Sequence, residues 1–235
     1  MTVEKRVAAF MAIVLSAAMG ARAVDAQAPL SPRDALGALK AGNDRFARNA
    51  SSPVSLSMNR RRELAPAQHP IAMVLSCADS RVPPEYIFNV GLGDLFVIRT
   101  AGEVIDRSIL ATIEYGADHL HIPLLVVMGH ESCGAVRAAA EPSGAAPSPN
   151  LDYLLKAIQA AKRAPAQERD EIKTLVLANV EQVINDAMSR SSMLKRMVDE
   201  RRIDVIGGYY ELVTGRVMFS EPVSSERGTS QDVRH

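Results

Sequence analysis

The chain has 235 residues, 47% of them hydrophobic, which is enough for one domain with a sizeable core. Its 27 basic residues match its 27 acidic ones, so no charge excess argues for nucleic acid or an acidic partner. Trp is absent and aromatics make up 4% of the chain, which leaves little material for a base-stacking surface.

At the start, Lys5 and Arg6 precede an apolar stretch over about 7–19, followed by Ala-x-Ala-like sites at 21–23 and 24–26. That is the layout of a secretory signal peptide. The stretch is shorter than the roughly 20 residues a membrane span needs. The expected organisation is therefore a signal peptide over 1–26, a single α/β domain over 27–223 and a mobile polar tail over 224–235. The mature form is expected to be secreted or periplasmic, with no membrane segment.

Ser31 followed by Pro32 reads as a helix cap with proline in the first turn, and Leu36, Leu39 and Phe46 recur at helical spacing. This predicts an amphipathic helical arm over about 32–48. A Ser/Pro-rich connection follows over 51–70. Short runs rich in Val, Leu and Ile predict buried parallel strands near 71–77, 95–100, 123–129 and 203–208. Helices are predicted near 105–119, 134–140, 151–163 and 168–190, with a loop over 141–150. Such alternation implies a mostly parallel sheet with right-handed crossovers. A hairpin joining 203–213 to 216–219 would add an antiparallel edge strand. The predicted class is α/β, with about four parallel strands plus that edge, flanked by helices.

Two of the strands end in chemistry. Cys77-Ala78-Asp79-Ser80-Arg81 follows the first, and His130-Glu131-Ser132-Cys133 follows the third. Carboxyl ends of neighbouring strands are where open α/β sheets place their ligands. Together the motifs supply two thiolates, an imidazole and a carboxylate, a complete four-coordinate set for one zinc ion. Two cysteines in an exported chain read by default as a disulfide. Zinc is the preferred reading, because a disulfide leaves Asp79 and His130 without a purpose. Cys77, His130 and Cys133 are the expected permanent ligands. If Asp79 fills the fourth position the site is closed. If Arg81 takes that carboxylate in a bidentate pair, the position is left open for water.

Cys77-Ala-Asp-Ser-Arg-Val-Pro-Pro-Glu85, then Gly-Asp-Leu-Phe-Val-Ile-Arg99, then Ile-Glu-Tyr-Gly-Ala117, then Gly-His-Glu-Ser-Cys-Gly-Ala-Val136 resemble the β-class carbonic anhydrases in order and spacing. The resemblance implies the family's fold and reversible hydration of carbon dioxide by a zinc-bound hydroxide. It also implies that an Asp79–Arg81 dyad controls the open position. Likeness to the plant-like branch implies a substrate pocket formed by Gln68, Phe96, Tyr115 and Gly134. From the family as well come a homodimer or dimer of dimers and an N-terminal helix lying across the partner. Core packing explains Phe96 and Tyr115 equally well, and Gln68 reads equally as a loop residue.

Two departures stand out. The segment Arg99-Thr-Ala-Gly-Glu103 carries an acid where the family often has Asn, which unsettles the local hydrogen bonding. A Trp-based bicarbonate regulatory pocket is excluded by composition. His119 and His121 are read as structural, and Gly91-Leu-Gly93 lacks the rest of a phosphate loop. The rival functions are hydrolysis of CS2 or COS on the same fold, non-catalytic zinc binding, and a nucleotide-binding α/β domain, which the missing glycine fingerprint disfavours.

Overall fold

Ser31 caps the first helix, α1 (Pro32–Ala47), by accepting the Asp34 N–H at 3.1 Å, and Pro32 occupies its first turn. The computed structural model describes residues 30–140, 146–159 and 171–223. The expected signal peptide, the polar tail, the first half of the 141–150 loop and the segment 160–170 between two helices lie outside the described residues. Ala35, Leu39, Gly42 and Asn43 form the buried stripe of α1, with Leu36 and Phe46 partly buried beside it.

Five strands follow: β1 (Ala72–Cys77), β2 (Leu95–Thr100), β3 (Leu124–His130), β4 (Asp204–Tyr210) and β5 (Val217–Phe219). Their order is β2-β1-β3-β4-β5, with the first four parallel and β5 antiparallel on β4. Every residue of β1 and β3 is buried, which is why these strands read as continuous apolar runs. The pleat divides them between two layers. Met73, Leu75, Leu125, Val127 and Val205 share one core cluster with Ile113, Ile184 and Leu194. Ala72, Val74, Leu124, Val126 and Ile206 share the other with Leu39, Ile87 and Phe88.

The helices are α2 (Met58–Leu64), α3 (Pro84–Ile87), α4 (Arg107–Glu114), α5 (Gly134–Ala140), α6 (Pro149–Gln159), α7 (Glu171–Arg190) and α8 (Ser192–Asp199). Three of them fall where no helix was expected. The stretch 51–70 contains α2, which buries no residue and whose main signal is the cap at Ser57, accepting Arg60 N–H at 3.1 Å. The four-residue α3 follows Pro83. Ser191 caps α8, whose Leu194, Met197 and Val198 are buried. The helix predicted to run through 119 is α-helical only to Glu114, then widens into one π turn, Tyr115–His119. β4 stops at Tyr210, short of the expected 213, and Gly215 turns the chain with φ of 71°. No described helix is long and apolar enough to cross a membrane.

This order places the site. The chain leaves β1 for β2 on one side, then returns to add β3 on the other. The direction of winding reverses between β1 and β3, and a crevice opens at their carboxyl ends. Cys77 is the last residue of β1 and His130 the last of β3.

Candidate metal centre

Cys133 follows His130 by three residues because the chain turns sharply between them. Glu131 N–H donates to Tyr210 O at 2.8 Å, and Ser132 then takes a φ of 54°. This delivers Cys133 to the start of α5, where its carbonyl accepts Arg137 N–H at 3.0 Å. The metal-ligating atoms of Cys77, His130 and Cys133 all lie within 4.8 Å of one another, and all three residues are buried. The two sulfurs are 4.0 Å apart and both thiols are free, about twice the length of a disulfide bond of roughly 2.05 Å. The sequence expectation of a metal trio in place of a disulfide matches this geometry.

His130 supplies the sharpest test of fit. Its Nδ1 lies 2.9 Å from Glu131 O, and a carbonyl only accepts, so Nδ1 carries the proton. That leaves Nε2 with a free lone pair, fully buried and without a hydrogen-bond partner among the described residues. A buried imidazole with one nitrogen fixed by a backbone carbonyl and the other facing two sulfurs is arranged as a metal ligand. Two sulfurs and one imidazole nitrogen suit zinc.

The sulfurs are not equivalent. Hydrogen bonds from Cys133, first, and from the Gly102 and Asp79 backbone pull the Cys77 thiol well below the ordinary cysteine range. Cys133 is pushed up, chiefly by the same sulfur–sulfur hydrogen bond and then by burial. Without metal, the two sulfurs therefore share one proton between them.

Asp79 stands beside this trio. Arg81 Nε donates to its Oδ1 at 2.9 Å, Arg81 Nη2 to its Oδ2 at 2.7 Å, and the Arg81 backbone N–H to Oδ1 at 2.9 Å. Asp79 Oδ2 lies 3.9 Å from His130 Nε2. The guanidinium holds the Asp79 carboxyl below the usual carboxylate range. Arg99, which sequence reading passed over as part of a strand, clamps the loop from behind. It donates to Cys77 O at 2.9 Å and to Asp79 O.

The expected pocket residues are spread more widely. Gly134 opens α5 beside Cys133, with open space where a side chain would stand. Phe96 pairs in register with Met73, four residues before Cys77, so it lies about 13 Å down the sheet. It packs against a different core cluster from the one holding Cys77 and Cys133. Its ring is 6.3 Å from that of Tyr115, which is 47% exposed and stacks on His119 at 4.8 Å. Gln68 is exposed between α2 and β1.

A buried pair behind the trio escaped the sequence reading in part. Glu103 was noted only as an acid in an unexpected place. It is fully buried, and burial, followed by the charge at Cys77, pushes its carboxyl well above the usual range. Asn179 on α7, which donates to it at 3.2 Å, is 76 residues away along the chain and carried no signal.

These elements define an α/β metalloprotein with a thiolate–imidazole centre at the switch point of its sheet. Comparison with known proteins narrows the class. The family model for carbonic anhydrase matches residues 72–217. Carbonic anhydrase 2 of Mycobacterium tuberculosis is 35% identical over 201 residues, covering 83% of this chain and 96% of that protein. The solved Coccomyxa β-carbonic anhydrase in complex with acetazolamide is 26% identical, with a TM-score of 0.63, covering 80% of this chain and 86% of that one. A tetrameric β-carbonic anhydrase from Sordaria macrospora shares the fold, at 24% identity and a TM-score of 0.63 over 82% of this chain and 98% of that one. The chain belongs to the carbonic anhydrase family, a family of lyases, and its fold is that of the β class.

Proposed function

We propose that the chain catalyses the reversible hydration of carbon dioxide, CO2 + H2O giving HCO3− and H+, with zinc held by Cys77, His130 and Cys133. The observation that carries this reading is the position of Asp79, beside the trio but tied to Arg81 through both carboxylate oxygens. A storage site needs ligands alone, whereas an acid held next to an open ligand position is what a reaction needs. When bound, zinc acidifies a water ligand toward a pKa of about 7, so a nucleophile is available at neutral pH.

Asp79 has two tasks in this scheme. Paired with Arg81, it would be held off a metal bound by the trio, and its free lone pairs would accept the nucleophile's hydrogen and aim its oxygen at the carbon of CO2. Arg81 is exposed enough that its pairing adds little stability, so its contribution is orientation. Gln68 donates its amide to one substrate oxygen and the Gly134 N–H serves as a backbone donor, while Phe96 and Tyr115 exclude water. The working form is a homodimer or dimer of dimers. The mature domain begins after a cleaved signal peptide and acts outside the cytoplasm.

Proton release from dissolved CO2, followed with an indicator dye, tests the reaction. The rate should vanish when a chelator strips the metal and return with added zinc. Zinc-loaded protein that hydrates CO2 no faster than buffer would remove the proposal. Faster sulfide release from COS or CS2 than CO2 turnover would reassign the substrate.

A further inference from the structure

Behind the trio lies a set of groups to which CO2 hydration assigns no task. Gly102 sits in the turn that follows β2 and donates its N–H to Cys77 Sγ at 3.4 Å. It has a φ of 65°, which favours glycine, and a Cβ there would stand 2.6 Å from Ile158 Cδ1 and force that side chain to shift. The next residue, Glu103, repeats the left-handed conformation with a φ of 55° while fully buried. Consecutive left-handed residues persist only where surrounding contacts over-determine them.

Those contacts come from α7. Asn179 is 1% exposed and its Nδ2 donates to two acceptors, Gly102 O at 2.8 Å and Glu103 Oε2 at 3.2 Å. Around it, Val176, Val180, Val183 and Ile184 are all buried and apolar. Leucine would suit position 179 better if its role were packing, since a buried amide is costly unless its hydrogen bonds are made. The remaining carboxyl oxygen, Glu103 Oε1, is buried without a partner among the described residues. A strained backbone, an amide in an apolar wall and an orphan oxygen converge on the Gly102 N–H that meets Cys77.

We infer that Asn179 and Glu103 are positioning residues for the metal centre: they clamp the 101–103 turn so that the Gly102 N–H stays on the Cys77 sulfur. An N–H···S bond withdraws electron density from the thiolate, weakens its donation and leaves a bound metal a stronger Lewis acid. The inference rests on the metal reading of the trio and does not depend on the substrate.

Cobalt(II) in place of zinc reports on the sulfurs through thiolate-to-metal charge-transfer absorption, measured together with the chelator concentration that removes half of the zinc. In the full chain, Asn179→Leu and Glu103→Leu should move the absorption to lower energy, because the thiolate regains electron density, and should still loosen zinc roughly 10-fold, because the unclamped turn no longer holds Cys77 in place for the metal. Glu103→Gln, which keeps an acceptor for Asn179, should restore both readouts to the parent values. If leucine at 179 prevents folding, Glu103→Ala carries the same expectation. Absorption and zinc retention unchanged in the folded variants would overturn the inference while sparing the metal reading. A parent chain that takes up no cobalt would overturn both.

Discussion

Asp79 faces two possible partners, an arginine two residues away and the metal position across from His130. The bidentate pair to Arg81 has taken it, and one consequence can be measured. Asp79→Asn keeps the shape but removes the charge that accepts and orients the nucleophile's hydrogen. CO2 hydration should fall by about 10²-fold with zinc content unchanged, and an unaltered rate would take Asp79 out of the reaction. The sulfurs make a second prediction. Cys77 is lowered and Cys133 raised by the hydrogen bond between them, so at neutral pH the metal-free pair shares one proton. Metal binding needs both as thiolates, so zinc uptake at pH 7 should release about one proton. Calorimetry in buffers of differing ionisation enthalpy gives that count, and release of two would mean the metal-free pair starts fully protonated. The motif residues were legible as ligands in the sequence because zinc chemistry restricts their types. The inequality of the two sulfurs was not, since it arises chiefly from the hydrogen bond between them once the fold brings them together.

At the scale of elements, the approach of α7 to β3 sets the trio in place. Gly129 directly precedes His130, and a Cβ there would stand 2.6 Å from Val176 Cγ1 and 2.8 Å from Val180 Cγ2. Gly129→Ala must push α7 away from β3, at a cost of about 1–3 kcal/mol. The urea midpoint should fall accordingly, and zinc content with it, because the displaced strand ends at a ligand. A variant as stable as the parent would show that the two elements yield easily. Strands β1, β3 and β4 were readable from their apolar runs because burial on both faces demands them. Helix α2 was not, because it buries none of its seven residues and so leaves no periodic stripe. The end of α4 was equally illegible: the switch from α to π at Tyr115 depends on packing of the following residues, with Gly116 crowded against the Met73 side chain.

For the whole molecule, metal and fold should be linked. A ligand that binds only the folded chain stabilises it by about 4 kcal/mol at a thousandfold excess over its Kd. Removing zinc should lower the melting temperature, and adding it back should restore the loss in a concentration-dependent way. A melt indifferent to zinc would place the metal outside the folded core. Assembly is the other prediction at this scale. Tyr86, Leu56 and Met58 are large apolar side chains more than half exposed in the single chain. Sedimentation should show a dimer or tetramer, and a strictly monomeric protein with full activity would exclude an oligomer as the working form.

Residue order alone determined the α/β class, the zinc-type ligand set and the family, because each rests on local patterns: apolar runs, turn residues and donor types at fixed spacing. Tertiary structure decided which groups stand behind the ligands. Asn179 and Glu103 meet across 76 positions, and Arg99 reaches back 22 positions to the Cys77 carbonyl. Contacts between side chains that far apart depend on how helix and sheet pack, and packing leaves no mark in the spacing of residues along a chain.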